Sequence, residues 1–147
     1  MSAAPRRAVI DASVAIKWVV EETLSKQARM LRHTRLCAPD LLIAEVANVL
    51  WKKAMRGDVT PEHADTAARI LQAVEIEWVD SRVLMPEALS LALALRHPAY
   101  DCFYLAAAID RNMPFVTADA RLVERVERAP SRPAGLDLIS LAALRID

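Results

Sequence analysis

Residues 97–110 read HPAYDCFYLAAAID, and their reading governs that of the whole 147-residue chain. After Asp101 and Cys102, the run Phe103, Tyr104, Leu105, Ala106, Ala107, Ala108, Ile109 carries no charge. A helix that is apolar on nearly all sides is a buried helix. Asp101 therefore enters the protein on an element with little access to water, where an unpaired carboxylate costs on the order of several kcal/mol. Asp110 lies nine residues on, roughly half a circle away at about 100° per residue, and is predicted to sit in solvent at the helix end.

Working outward, Ala8 to Ile10 reads as a short buried strand that stops at Asp11, with Ser13 capping a helix from Val14 to Val20. A strand leading straight into a helix opens an α/β unit. A second helix is expected from about Leu24 to His33 with Ala28 and Leu31 inward, then a strand Leu36 to Ala38 stopped by Pro39. Asp40 should cap a long helix, Leu41 to Arg56, ended by Gly57. Thr60 and Pro61 open the next, running to about Val74. Val74 to Val79, VEIEWV, alternates as an edge strand does. Pro86 is placed in the first turn or so of a helix ending near Arg96. Pro114 to Thr117 gives a buried strand, Asp119 opens a helix to about Val126, and Leu136 to Leu141 a final strand. The alternation predicts an α/β fold, a mostly parallel sheet covered on both faces, in a single domain over residues 1–147.

Composition removes several classes. Hydrophobic residues make up 54%, which argues against disorder, yet no apolar run is long enough to span a membrane. The N-terminus lacks the apolar stretch of a signal peptide, so a cytoplasmic protein is expected, with Cys37 and Cys102 as reduced core residues. Nineteen Lys and Arg against nineteen Asp and Glu leave formal net charge +0, hence no global field for non-specific nucleic-acid binding. Only Gly57 and Gly135 are present, too few for a dinucleotide loop, a P-loop or a nucleophile elbow.

Four acids sit where apolar surroundings make them conspicuous. Asp11 ends the first strand and Asp119 follows the fourth, so both should emerge at the carboxyl rim of the sheet, where such folds bind ligands. Glu45 interrupts the apolar run Leu41 to Leu50, with Asn48 three residues on and able to orient it. Asp101 is the fourth. Each has an ordinary reading as a helix cap or surface ion pair, and Asp119 before ARLV has the strongest such case. Four carboxylates at one rim cannot all stay ionised without a counter-charge, and the economical one is a divalent metal. Oxygen-only ligands select Mg2+, or Mn2+ in its place, and His33, His63 and His97 have no zinc spacing with the cysteines. Such an ion activates water and stabilises charge on phosphate, which points to phosphodiester hydrolysis. Ser13 and Thr117 could hold water or phosphate there, although hydroxyls at helix starts are more often caps.

The motifs VIDASVAIKW around Asp11, APDLLIAEVANVL around Glu45, HPAYDCFYLAAA around Asp101 and FVTAD around Asp119 resemble, in order and register, those of the PIN-domain family and its VapC-type toxin ribonucleases. The resemblance implies a three-layer α/β/α fold and a Mg2+-dependent endoribonuclease of a toxin-antitoxin system. By it Asp11, Glu45, Asp101 and Asp119 match the metal-holding acids, Ser13 and Thr117 match polar positions near them, and Asn48 a supporting residue. It also implies an RNA substrate, a homodimer, and a small antitoxin laying a helix over the site. The chain departs from many relatives in carrying Ala120 and Arg121, not a further acid or asparagine, after the last aspartate. Trp18, Trp51 and Met55 suit a helix-in-groove contact but read as core at about two to one, and Lys17, Lys52, Lys53 and Arg56 are candidate phosphate contacts that read first as a solvated face. Two other enzyme or signalling classes fit less well. A haloacid-dehalogenase-like phosphohydrolase needs D-x-D where this chain has Asp11, Ala12, Ser13, and a receiver domain needs a late lysine, which is missing after Lys53. A non-catalytic PIN-like binding module would not need the four acids.

Overall fold

The computed structural model describes residues 2–146. Strands β1 (Arg7–Ile10), β2 (Arg35–Pro39), β3 (Glu77–Val79), β4 (Phe115–Thr117) and β5 (Leu138–Ser140) form one sheet in the order β3-β2-β1-β4-β5. Every pairing between them is parallel. Parallel neighbours require crossovers, and helices supply them. Between β1 and β2 come α1 (Ala12–Ala15), continued by a 3₁₀ turn over Ile16–Trp18, and α2 (Ser25–Met30). Between β2 and β3 come α3 (Leu41–Met55) and α4 (Pro61–Gln72). Helices α5 (Ser81–Leu95) and α6 (Ala99–Arg111) link β3 to β4, and α7 (Ala120–Glu127) links β4 to β5.

The central strands are covered on both faces, as their unbroken apolar sequence requires. Ala8, Val9 and Ile10 of β1 and Phe115 and Val116 of β4 have no exposed surface. Helix α6 packs across β1, β2 and β4 and buries Cys102 and Tyr104 to Ala108; the Tyr104 ring stacks on Phe115 with centroids 5.9 Å apart. The expected buried helix is therefore present, and Asp110 lies exposed at its end beside Arg111. Both cysteines are buried and free. No helix among the described residues is long and apolar enough to cross a membrane.

The order places β1 between strands reached in opposite directions, with β2 on one side and β4 on the other. Folds of this kind bind ligands beside the carboxyl ends of the strands where the order reverses, and here Asp11 follows β1 and Asp119 follows β4 at that point.

Several local expectations are corrected. Asp11, not Ser13, caps α1: its side chain accepts from the Val14 N–H. Asp40 makes no side-chain cap to α3 and instead accepts from the backbone N–H and hydroxyl of Ser81, tying the starts of α3 and α5 together. Helix α5 begins at Ser81 under an Asp80 cap, so Pro86 falls in its second turn, inside the helix. The edge strand is only Glu77–Val79, because β2 offers it partners only at Cys37, Ala38 and Pro39. The caps at Thr60 and Gly57 follow the sequence: Thr60 accepts from His63 N–H, and Gly57 takes φ 76°, the left-handed conformation that closes a helix end.

The corner between α5 and α6 is held by Arg125 of α7. Its Nε donates to the Leu95 carbonyl at 2.8 Å and its Nη2 to that of Arg96 at 2.9 Å. These are carbonyls at the α5 C-terminus, left without partners by a helix that stops.

Leu105, with no exposed surface, sits at the centre of α6. Leu105→Ala is expected to cost about 2–5 kcal/mol in urea unfolding; a loss below about 0.5 kcal/mol, the range of surface substitutions, would contradict its place in the core.

Candidate active site

The carboxylate of Asp11, at 7% exposure, is held from three directions. Ser13 Oγ donates to its Oδ1 at 2.5 Å, the Val14 N–H to the same oxygen at 3.3 Å, and Thr117 Oγ1 to Oδ2 at 2.6 Å. The two hydroxyls are themselves fixed by the β4 end. Ser13 Oγ accepts from Ala118 N–H at 2.9 Å and Thr117 Oγ1 from Asp119 N–H at 3.1 Å. Ser13 and Thr117 thus serve as hydroxyl clamps on Asp11 rather than as simple caps.

Glu45 stands on α3 beside the inward line Leu42, Val46 and Leu50. Its Oε1 accepts from the Tyr104 hydroxyl at 2.9 Å, and Tyr104 is only 1% exposed. The supporting role expected of Asn48 falls to this hydroxyl; Asn48 itself faces solvent. Asp101 occupies the first turn of α6, where the helix dipole favours an anion. His97 Nε2 stands 2.6 Å from its Oδ2, so ring and carboxylate share a hydrogen bond. Sequence reading missed both His97 and Tyr104. The signal lay in spacing, since Tyr104 follows Asp101 at i+3 on the same face of α6 and His97 precedes it at i−4, just ahead of the helix.

Asp11, Glu45 and Asp101 act on one another. Burial pushes Asp11 up to about 6, with hydrogen bonds from Ser13, Thr117 and Val14 opposing it and the Asp101 charge adding to it. Burial also raises Glu45, the Tyr104 hydroxyl partly offsetting and the charges of Asp101 and Asp11 reinforcing it. Asp119 is held differently: its Oδ1 accepts from Arg121 and Leu122 N–H and so caps α7. Three of the four expected acids thus act on one another, and the fourth, Asp119, caps α7 while its backbone N–H donates to the hydroxyl that clamps Asp11.

No lysine or arginine forms an ion pair with Asp11, Glu45 or Asp101 among the described residues. Lys17 and Lys53, two of the cations near these motifs, are both drawn to Glu22, at 2.7 and 2.9 Å. Each of the three carboxylates keeps an oxygen or lone pair beyond its fixed donors, which suits a hard cation. No three His, Cys, Asp or Glu side chains among the described residues are close enough to enclose an ion. Mg2+ does not require enclosure, since it binds through one or two carboxylates and keeps several waters. The donor chemistry therefore fits such an ion.

A folded pKa near 6 for Asp11 against 3.8 for the free group fixes the sign of its pH effect. The stabilising contribution is complete below the lower value and is lost as pH rises through the upper one. By neutral pH, ionised Asp11 opposes folding by on the order of 3 kcal/mol. In metal-free buffer, Asp11→Asn is expected to melt higher than the parent at pH 8 and to lose that advantage near pH 4. Equal melting temperatures at both pH values would contradict a strained carboxylate.

Comparison with known proteins identifies the family. The family model described as PIN domain matches residues 8–128. The chain is 32% identical over 127 residues to Ribonuclease VapC3 of Pyrobaculum aerophilum, covering 80% of this chain and 92% of that one. It is 29% identical over 113 residues to Ribonuclease VapC1 of Mycobacterium tuberculosis, covering 75% of this chain and 79% of that one. Among solved structures, DNA-bound VapBC from Salmonella typhimurium superposes with a TM-score of 0.63 at 15% identity, over 93% of this chain and 99% of that one. The chain belongs to the PIN-domain family, among its VapC-type members.

Proposed function

We propose that the protein is a Mg2+-dependent endoribonuclease, the toxin of a toxin-antitoxin pair, and that it hydrolyses RNA phosphodiester bonds. The observation that carries this reading is the trio Asp11, Glu45 and Asp101, three mutually repelling carboxylates without a lysine or arginine partner. Asp11 and Asp101 would hold the ion, with Mn2+ able to replace Mg2+, and Asp119 would reach it through bound water. When bound, the ion supplies a Lewis acid for the phosphate and an acidified water.

The protein's own groups do the rest. Ser13 and Thr117 keep both Asp11 oxygens directed. Tyr104 holds one Glu45 oxygen, leaving Oε2 to orient the attacking water and take its proton, a task that a carboxyl raised by burial performs well. The water oxygen bonds to phosphorus, a P–O ester bond breaks, and the departing oxygen is protonated. Chelation with EDTA is expected to stop RNA cleavage and Mg2+ or Mn2+ to restore it. Asp101→Asn and Glu45→Gln should each lower the rate at least about 100-fold while folding normally. Full cleavage in chelator, or by these variants, would refute the assignment.

The partner reading rests on a groove of about 360 Å³ between the 3₁₀ turn, α3, α4 and β3, walled by Trp18, Ile43, Ala47, Leu71, Ile76 and Trp78. Along α3, Ile43, Ala47, Trp51 and Met55 recur every four residues and all face solvent. Trp18, by contrast, packs inward and donates its N–H to the Ala28 carbonyl. An apolar face of this kind receives an amphipathic helix of the antitoxin. A second exposed line, Met85, Leu89 and Leu93 on α5, is offered as the contact between two copies in a homodimer. A toxin carrying Ile43→Asp and Trp51→Asp should still arrest growth yet escape the small protein encoded beside it in co-expression; undiminished neutralisation would exclude the groove.

A further inference from the structure

A cluster of carboxylates repels the phosphates of the strand it is to cut, and a chain of formal net charge +0 has no overall field to offset that repulsion. Cations must therefore be concentrated locally along the approach. Such a concentration borders the α5–α6 corner, where a cavity of about 360 Å³ is lined by Arg96, Arg125 and Arg128. Arg96 immediately precedes His97, the residue in contact with Asp101, so the cavity's lining runs in the chain directly into the residues that flank the acidic cluster. Arg121, Arg125 and the C-cap residue Arg128 recur at i, i+4 and i+7 and so continue along one side of α7, starting two residues after Asp119.

The three differ in how firmly they are held. Arg125 is pinned by its Nε and Nη2 to the Leu95 and Arg96 carbonyls, which leaves Nη1 as a pre-positioned donor group. Arg128 pairs with Glu124, the acid on this side of α7, at 2.8 Å with both side chains exposed at 78% and 56%. An exposed bridge of that kind is worth little and gives way to a phosphate. Arg121 is exposed, its backbone N–H alone being engaged, with Asp119. A guanidinium fork matches a phosphate with two parallel hydrogen bonds.

We propose that Arg96, Arg121, Arg125 and Arg128 form a phosphate track that leads the backbone of an RNA strand to the acidic cluster. The proposal rests on the RNA substrate argued above. Because phosphates carry no sequence information, the track would position the strand without choosing its bases.

The test measures binding of a labelled single-stranded RNA by fluorescence anisotropy in EDTA, over a range of salt, so that cleavage plays no part. Arg121→Gln with Arg128→Gln is the informative pair, since neither side chain carries the α5–α6 corner, and thermal melting checks the fold. Affinity should fall several-fold for every RNA sequence tried, and the slope of log K against log salt should become shallower by about 1.4, two lost contacts at about 0.7 each. Parental affinity and slope in the double variant would overturn the track even where the parent cleaves RNA with Mg2+. A parent that neither binds nor cleaves RNA would remove the substrate reading as well. Loss of neutralisation by the co-encoded partner with RNA binding unchanged would assign the arginines to a protein contact and also overturn it.

Discussion

The rest of the structure depends on keeping the Asp11 carboxylate out of water at the end of β1. Charge-assisted hydrogen bonds contribute roughly 1.5–3 kcal/mol each, and Asp11 receives them from Ser13, Thr117 and the Val14 N–H. Desolvation of an ionised carboxylate costs on the order of several kcal/mol or more. The elevated value near 6 shows which effect wins: even three donors leave the charged form disfavoured. The clamp has a second consequence. Because its hydroxyls come from the α1 start and the β4 end, the group that strains the site also locks together the two strands where the sheet reverses direction.

The two rims of the sheet treat charge in opposite ways. At the amino ends of the strands, Glu77 is shared by Arg35 and Arg111, and Arg7 donates to the Asn112 carbonyl. Acid and base there cancel, as they do on an ordinary surface. At the carboxyl rim, Asp11, Glu45 and Asp101 repel one another, and Lys17 and Lys53 are drawn off to Glu22. A fold that can neutralise one rim yet leaves the other uncompensated keeps a standing demand for positive charge. Strained charge of this kind concentrates where function resides.

The same contrast organises the outer surface. Apolar side chains left in water cluster on α3 and α5, while basic ones line α7. Arg125 links these regions, since the residue that faces the cationic cavity also fastens the corner from which α6 and Asp101 depart.

The elements were largely legible in the sequence because their signals are local. Alternation of short apolar runs with helix-period segments gave the parallel sheet, the all-apolar run after Asp101 gave the buried helix, and the strand ends at Asp11 and Thr117 gave the rim. Side-chain partners were not legible in the same way. Ser13 looked like a cap and is a clamp, Asp40 looked like a cap and reaches across to Ser81, and Asn48 looked like the partner of Glu45, whose actual partner is Tyr104, fifty-nine residues away. The sequence by itself determined which residues are apolar, where helices start and stop, and which acids sit in apolar surroundings, since hydrophobic periodicity and capping act within a few residues. Only the tertiary structure decided which acids share a field and which hydroxyl or imidazole steadies each one. Those outcomes depend on distances between segments far apart in the chain, which only packing of the helices against the sheet fixes.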